Sequence, residues 1–405
     1  MPPSTEIMAQ SVHLISSFPH HISTAQYSPP NHQITPKNKS ADKIPASKLT
    51  FLPTMPAAFT FGIEVEYLVP YLYTDDIDPE PKDRRKIDRT PPGINDFTDP
   101  NGYVIDNVVY NRVRRTLRDV GLPAVVMPEL PVGSLPSQWE PVRDESLVED
   151  DDMADLYGSN FIPLEIRSPV LNADRAGFRS VRLAIDALVS KHRLLITDTC
   201  GYHVHVGRGT EGFSLPALKN IAAFLWVFGG QLSTLHPKNR HNNGYASSMR
   251  KKSNIAHHAE DLCEGIREIY AAKTARRLVY LIHWTYPDEE FESDDIFIRN
   301  MAYNFVNIVH AEGKKTIEFR QFASTTDSLH VKMWAEVCVG IVMACAERNE
   351  LEFSTFLLDA ADKEENRPKE VLDIAQLLSR IGLRDQANWA QQRCEELGSR
   401  KCSIQ

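Results

Sequence analysis

Four short segments of this chain each carry two charged or metal-ligating side chains one residue apart. They are Glu64 and Glu66 in FGIEVEY, Glu165 and Arg167 in PLEIRSP, His203 and His205 in GYHVHVG, and Glu318 and Arg320 in KTIEFRQF. The intervening and adjoining residues are apolar: Ile63 and Val65, Leu164 and Ile166, Val204 and Val206, Ile317 and Phe319. An alternation of period two marks a strand, in which successive side chains point to opposite faces. Each segment thus presents a functional pair on one surface and an apolar pair on the other.

If these strands neighbour one another, four carboxylates share one surface and repel unless cations lie among them. Oxygen-rich donors with an occasional imidazole suit Mg²⁺ or Mn²⁺ better than zinc, which favours fewer ligands and more nitrogen or sulfur. Arg167 and Arg320 would then be free to grip phosphate in a bidentate manner. Carboxylate-held metals beside arginines are the parts of a phosphoryl-transfer site. One Glu-x-Glu pair alone is more commonly a solvated strand face, and one His-x-His serves a metal site or a hydrogen-bonded polar face about equally. The recurrence in four segments is what points to a shared site.

Helices must pack against the apolar obverse of such strands. Val109, Val113, Leu117 and Val120 form one amphipathic stripe, and Phe178, Val181, Ile185, Leu188 and Val189 form another. A helix over Leu215 to Gly229 is expected after Ser214 as N-cap, with Pro216 in its first turn. Ser328 to Glu347 reads as a central packing helix, and two further helices split near Gly382 carry no evident chemistry. The expected class is α+β: an antiparallel sheet with a polar, metal-binding face and helices on the other.

The chain has 405 residues, 42% of them hydrophobic, and a net charge of -9, which excludes nonspecific attraction to nucleic acid or anionic membrane as its main business. The basic runs Arg84 to Lys86 and Arg250 to Lys252 read as solvated loops. The apolar stretches at Leu218 to Phe228 and Val337 to Ala346 are too short and interrupted to span a bilayer. Six cysteines without a CxxC pair or a preceding secretory signal fit a reduced, cytoplasmic compartment. Residues 1–58 are rich in Ser, Pro, His and Thr and read as a disordered leader, 59–350 as the catalytic domain, and 351–405 as a helical extension. Insertions are expected at about 74–101, 128–160 and 286–296; their acidic runs read as solvated loops, because consecutive carboxylates cannot all face one ion. GRGTEG at Gly207 fits G-x-G-x-x-G, but it follows a half-polar strand and its helix begins only after Ser214, so a dinucleotide site is rejected. No P-loop motif is present.

FGIEVE, LEIRSPV, CGYHVHVG and KTIEFRQFAST, in this order, resemble the signature segments of the amidoligase family of carboxylate-amine ligases, which is similar to glutamine synthetase and glutamate-cysteine ligase. The resemblance runs from about Phe59 to Glu347. It implies an ATP-dependent enzyme that forms an amide bond through an acyl phosphate, with ATP, Mg²⁺ or Mn²⁺, and small-molecule or peptide carboxylate and amine substrates on the sheet face. By this resemblance Glu64, Glu66, Glu165, His203 and Glu318 are metal ligands, and His205 lies near phosphate. Arg320 grips the transferred phosphate, with Arg167, Glu318 and His205 also in the catalytic set. It further points to Arg240, Asn243 and Tyr245 in HPKNRHNNGY, and to Tyr303 and Asn307 in YNFVN, as cofactor-binding residues. Asn and Tyr in loops also commonly hold turns. Two other classes stay open: a metal-dependent hydrolase built on the His-x-His segment, and a non-catalytic binding protein on the same fold.

Overall fold

The computed structural model describes residues 59–91, 105–124, 137–241, 243–287, 289–310 and 313–398. The leader, most of 92–136 and the last seven residues lie outside the described residues, and so does the expectation placed on residues 1–58.

Among the described residues the strands are β1 (Thr60–Tyr73), β2 (Asp88–Thr90), β3 (Glu140–Val142), β4 (Phe161–Arg167), β5 (Leu171–Asn172), β6 (Gly201–Gly207), β7 (Tyr303–Asn304) and β8 (Ile317–Ala323). They join one open sheet in the order β3-β4-β1-β6-β8-β7, with β2 and β5 also paired to β1. Every pairing along this path is antiparallel; only β2 runs parallel to β1. The four segments picked out above are therefore consecutive neighbours, β4, β1, β6 and β8.

Register fixes which side chains share a face. Glu64 stands opposite Arg167 on one side and His203 on the other, Glu66 is opposite Glu165, and His205 is opposite Glu318. Between the pairs Tyr202↔Phe322 and Val204↔Phe319 the register shifts. Arg320 and Gln321 thus face the single residue His203, a bulge of the kind that re-aims side chains beside sites.

The apolar obverse is fully buried, as the alternation requires, with Ile63, Val65, Leu164, Ile166, Val204, Val206, Ile317 and Phe319 in one hydrophobic core. Helices Arg175–Lys191 and Ser328–Ala346 lie against it. Phe178 stacks on Phe61 at 4.6 Å, and the Tyr202 hydroxyl donates to the Val331 carbonyl at 2.8 Å. Helix Leu215–Ser233 begins at its expected cap, with Ser214 Oγ accepting from Ala217 N. Ser328–Ala346 starts from an Asp327 cap. Its 19 residues are long and apolar enough to cross a membrane, more than its sequence suggested, but most of the helix is buried within the protein. The helices split at Gly382 (φ 94°) are Ile374–Arg380 and Arg384–Glu396; they follow Glu350–Asn366, and all three contribute to the same core.

Two expectations of solvated charge are corrected. Arg250 is held by the carbonyls of Trp226 and Val227 and by Glu364, so this basic residue braces two helices instead of standing in water. The acidic run Asp144 to Asp155 leads into helix Asp151–Tyr157, whose N-cap is Asp150, and the first residue of the run turns toward the polar sheet face.

Candidate active site on the polar face

The polar face is not open to solvent in the way an ordinary half-buried strand would be. Glu66, Glu165, His203 and Glu318 are each about 4% exposed, and His205 8%. Burying so many ionisable groups together is costly unless they neutralise one another or hold a cation.

Two three-donor sets emerge. Glu64, His205 and Glu318 offer ligand atoms within 4.8 Å of one another, and so do Glu66, Asp144 and Glu165. His203 lies between them, with Nδ1 3.5 Å from Glu64 and 3.7 Å from Glu318, and Nε2 3.6 Å from Glu66. His205 Nε2 lies 3.2 Å from Glu64 and 3.9 Å from Glu318. Both imidazoles therefore face the same carboxylate pair, and His205 sits in the tight set at least as closely as His203. His203 Nδ1 and His205 Nε2 are buried without a hydrogen-bond partner. Unsatisfied buried donor atoms flanked by carboxylates are what a divalent cation site provides, so the residues present fit the metal that the sequence suggested.

The charges are strongly interdependent. Burial would raise the Glu64 carboxyl, but His205, His203 and Lys314 hold it well below its usual range. Burial likewise opposes ionisation of Glu318, yet Arg320 and the two histidines bring it down to about 2. Glu165 goes the other way: burial, together with Glu64 and Glu66, pushes it up to about 8 despite Arg167. His205 is raised because the pull of Glu64 and Glu318 outweighs its burial. Like charges crowded on one face thus drive their proton affinities apart.

Arginines flank both ends of this constellation. Arg167 is bonded to Glu165, and Arg320 to Glu318, with Arg320 Nε also donating to the Tyr245 carbonyl at 3.3 Å. Asn304 on β7 donates to Glu318 Oε2 at 2.8 Å and accepts from Val306 N, so the short edge strand fixes the glutamate's orientation. His283 supports this turn, because its Nε2 accepts from Phe305 N at 2.9 Å.

The remaining sequence candidates fall into place differently. Arg240 is 1% exposed and donates to the carbonyls of Arg320, Gln321 and Phe322, bracing the β8 bulge. Asn243 Oδ1 accepts from Tyr245 N and Ala246 N and holds a turn, and Tyr245 meets the site through its carbonyl, which takes Arg320. Tyr303 is turned to the core side, 5.6 Å from the Phe319 ring, with its hydroxyl on Gln321; its neighbour Asn304 is the residue that reaches the site. The cause is strand parity, which sends adjacent residues to opposite faces. Asn307 accepts from Arg299 and, through its carbonyl, from Lys315 N.

Sequence reasoning passed over three site residues. Asp144 was hidden in an acidic run without periodicity, and Asn304 was masked by the aromatic beside it. Lys314 lies 3.5 Å from Glu64 and lines a cavity of about 290 Å³ with Arg167, His205 and Thr316. The next residue, Lys315, takes a left-handed φ of 54° and ties its Nζ to the carbonyls of Ile308 and His310, which sets the turn that brings Lys314 inward. Only a lysine pair ahead of a strand signalled it.

No protein of established function matches the chain in a search of curated sequences. A family model described as "Putative amidoligase enzyme" matches residues 58–342, which takes in all of β1 to β8 and every residue of the polar constellation. With well over half its length matched, the chain belongs to the amidoligase enzyme family.

Proposed function

We propose that this protein is an ATP-dependent carboxylate-amine ligase with a glutamine synthetase-like metal face. The observation that carries the reading is the convergence, from four separated chain segments, of two carboxylate sets and two arginines on one buried sheet face. Glu64, His205 and Glu318, and Glu66, Asp144 and Glu165, with His203 between the sets, would hold magnesium or manganese, which would supply charge neutralisation for phosphoryl transfer.

The chain's own residues position the reactants. A carboxylate oxygen of the acid attacks the γ-phosphorus of ATP, the bond to the bridging oxygen breaks, and ADP leaves. Arg320, held by Glu318 and the Tyr245 carbonyl, and Arg167, held by Glu165, present forked donors to the phosphoryl oxygens. Lys314 adds a point charge at the Glu64 end. The amine nitrogen then attacks the acyl carbon of the acyl phosphate, phosphate leaves, and a carboxylate of the face takes the proton. Burial of the face favours this chemistry, since water would hydrolyse the acyl phosphate.

The hydrolase alternative is less well supported: each histidine faces glutamates, and oxygen donors outnumber nitrogen in both sets. The test is amine-dependent release of ADP and phosphate by purified protein with Mg²⁺, ATP and mixed amino acids, peptides and amines. Abolition by Glu318→Gln with an unchanged melting temperature supports the reading. ADP release that is absent under every amine, or indifferent to Glu318→Gln, refutes it, and tight zinc with amide hydrolysis would favour the hydrolase.

A further inference from the structure

Glu318 reaches the polar face with its two oxygens given to different neighbours. Oε1 takes Arg320 and lies 3.7 Å from His203 Nδ1 and 3.9 Å from His205 Nε2. Oε2 accepts from Asn304 Nδ2 at 2.8 Å. This is a cross-strand contact, since Asn304 on β7 stands directly opposite Glu318 on β8. Glu64, in the same set of donors, is placed differently: one oxygen lies 3.2 Å from His205 Nε2 and the other 3.5 Å from His203 Nδ1.

The Asn304 amide is not free to turn over. Its Oδ1 accepts from Val306 N at 2.9 Å, and a backbone N–H demands the oxygen there, which leaves the NH₂ group for Glu318. The turn itself is clamped, because Phe305 N donates to His283 Nε2 at 2.9 Å and His283 closes the helix Ala275–Ile282. Asn304 and His283 are both wholly buried. The donor that meets Oε2 is thus supplied by the fold. Glu66 shows the same device in the other set, with Oε2 on Gly201 N at 2.5 Å and Oε1 3.6 Å from His203 Nε2.

A carboxylate with one oxygen tied in this way offers a cation the other oxygen alone. The small magnesium ion is content with single oxygens in an octahedron, whereas calcium gathers more oxygens and commonly takes both from one carboxylate. To chelate through Glu318, calcium must pull Oε2 from Asn304 and leave a buried amide donor unpaired, which is costly.

We propose that Asn304 is a positioning residue that fixes Glu318 as a one-oxygen ligand and thereby sets the group Glu64, His205 and Glu318 against calcium. The inference rests on the reading of this group as a divalent-metal site. It concerns which ion is held, beyond how tightly.

The test is Mn²⁺ binding to the full chain without nucleotide, counted by electron paramagnetic resonance, with Mg²⁺ and Ca²⁺ as competitors. The wild-type chain holds Mg²⁺ more tightly than Ca²⁺ at the ion that responds to Asn304. Asn304→Ser keeps a hydroxyl for Val306 N but is too short to reach Glu318. It shifts the ratio of Ca²⁺ to Mg²⁺ affinity by about tenfold or more toward Ca²⁺, the factor expected when a buried donor no longer has to be left unpaired. Asn304→Ala, which also gives up the turn, shifts the ratio in the same direction, and melting temperatures confirm that both variants are folded. Equal weakening of both ions, an unmoved ratio, or a wild-type preference for Ca²⁺ overturns the assignment. Mn²⁺ binding with an unmoved ratio overturns the role of Asn304 alone, whereas a wild-type chain that binds no Mn²⁺ overturns the metal reading and this inference together.

Discussion

Replacing Gly201 by alanine tests the packing at the centre of the site. A Cβ at this position would lie 2.9 Å from Arg240 Nη2, 2.9 Å from His203 Nε2 and 3.2 Å from Glu66 Oε2. Real contacts of this kind begin near 3.4 Å, so about half an ångström must be found from groups that are themselves fixed. Arg240 is tethered to three carbonyls and His203 is set among three carboxylates. Overpacking of a rigid interior costs about 1–3 kcal/mol. The lost chain freedom of the unfolded state returns about 0.4–1 kcal/mol. The expected net loss is about 1–2 kcal/mol, read as a lower urea midpoint at unchanged slope. Mn²⁺ affinity should fall about tenfold or more, because His203 and Glu66 are the groups displaced. Gly244→Ala, with nothing within 4 Å of the added atom, is the control and should change neither quantity. If Gly201→Ala matches the control in both urea midpoint and Mn²⁺ affinity, then the close approach of Arg240, His203 and Glu66 does not exist and the site geometry is wrong.

Three further outcomes follow from the same contacts. The unfolded chain protonates His283 near its ordinary 6.5, whereas burial holds the folded residue down to about 4. The unfolded state therefore binds more protons between these values, and stability falls as pH drops from about 6.5 to about 4, by at most about 3 kcal/mol from this residue. Urea midpoints at pH 7 and 4.5 should show a smaller acid loss in His283→Gln than in wild type, and equal losses would refute the assignment. Asp144→Asn should weaken one of two Mn²⁺ ions by about 10–100-fold, counted by electron paramagnetic resonance; Asp150→Asn, which removes a nearby charge but keeps the helix cap, should spare both, and identical titrations would remove Asp144 from the site. Arg320→Lys keeps the charge and loses the fork, so kcat should fall about 100-fold with little change in melting temperature. A kcat within twofold of wild type would rule out bidentate gripping.

Much of the site could be read from strand parity. Four segments alternated functional and apolar residues, and the structure makes them four adjacent strands with all eight functional side chains on one face. What parity cannot convey is order across the sheet, which is set by pairing between residues more than a hundred positions apart, as Glu64 with Arg167 or His203. Asp144 and Lys314 were invisible for a related reason: they stand on turns, where neither period two nor period 3.6 marks which way a side chain points. Tyr303 shows the opposite error, an aromatic singled out in a strand whose parity assigns it to the core. The bulge at Arg320 and Gln321 shifts register by one residue, and nothing in KTIEFRQF announces it.

A cavity of about 510 Å³ lies beside Cys200, at the start of β6. Apart from Ala323 at the end of β8, its walls come from three stretches, around residues 148–150, 196–200 and 237–240, that lie outside the hydrogen-bonded ladders. The first two can change in length or charge without altering which strand residues face the core, whereas Arg240 in the third also braces β8. What the cavity can admit is therefore set largely apart from what the four strand pairs hold in place.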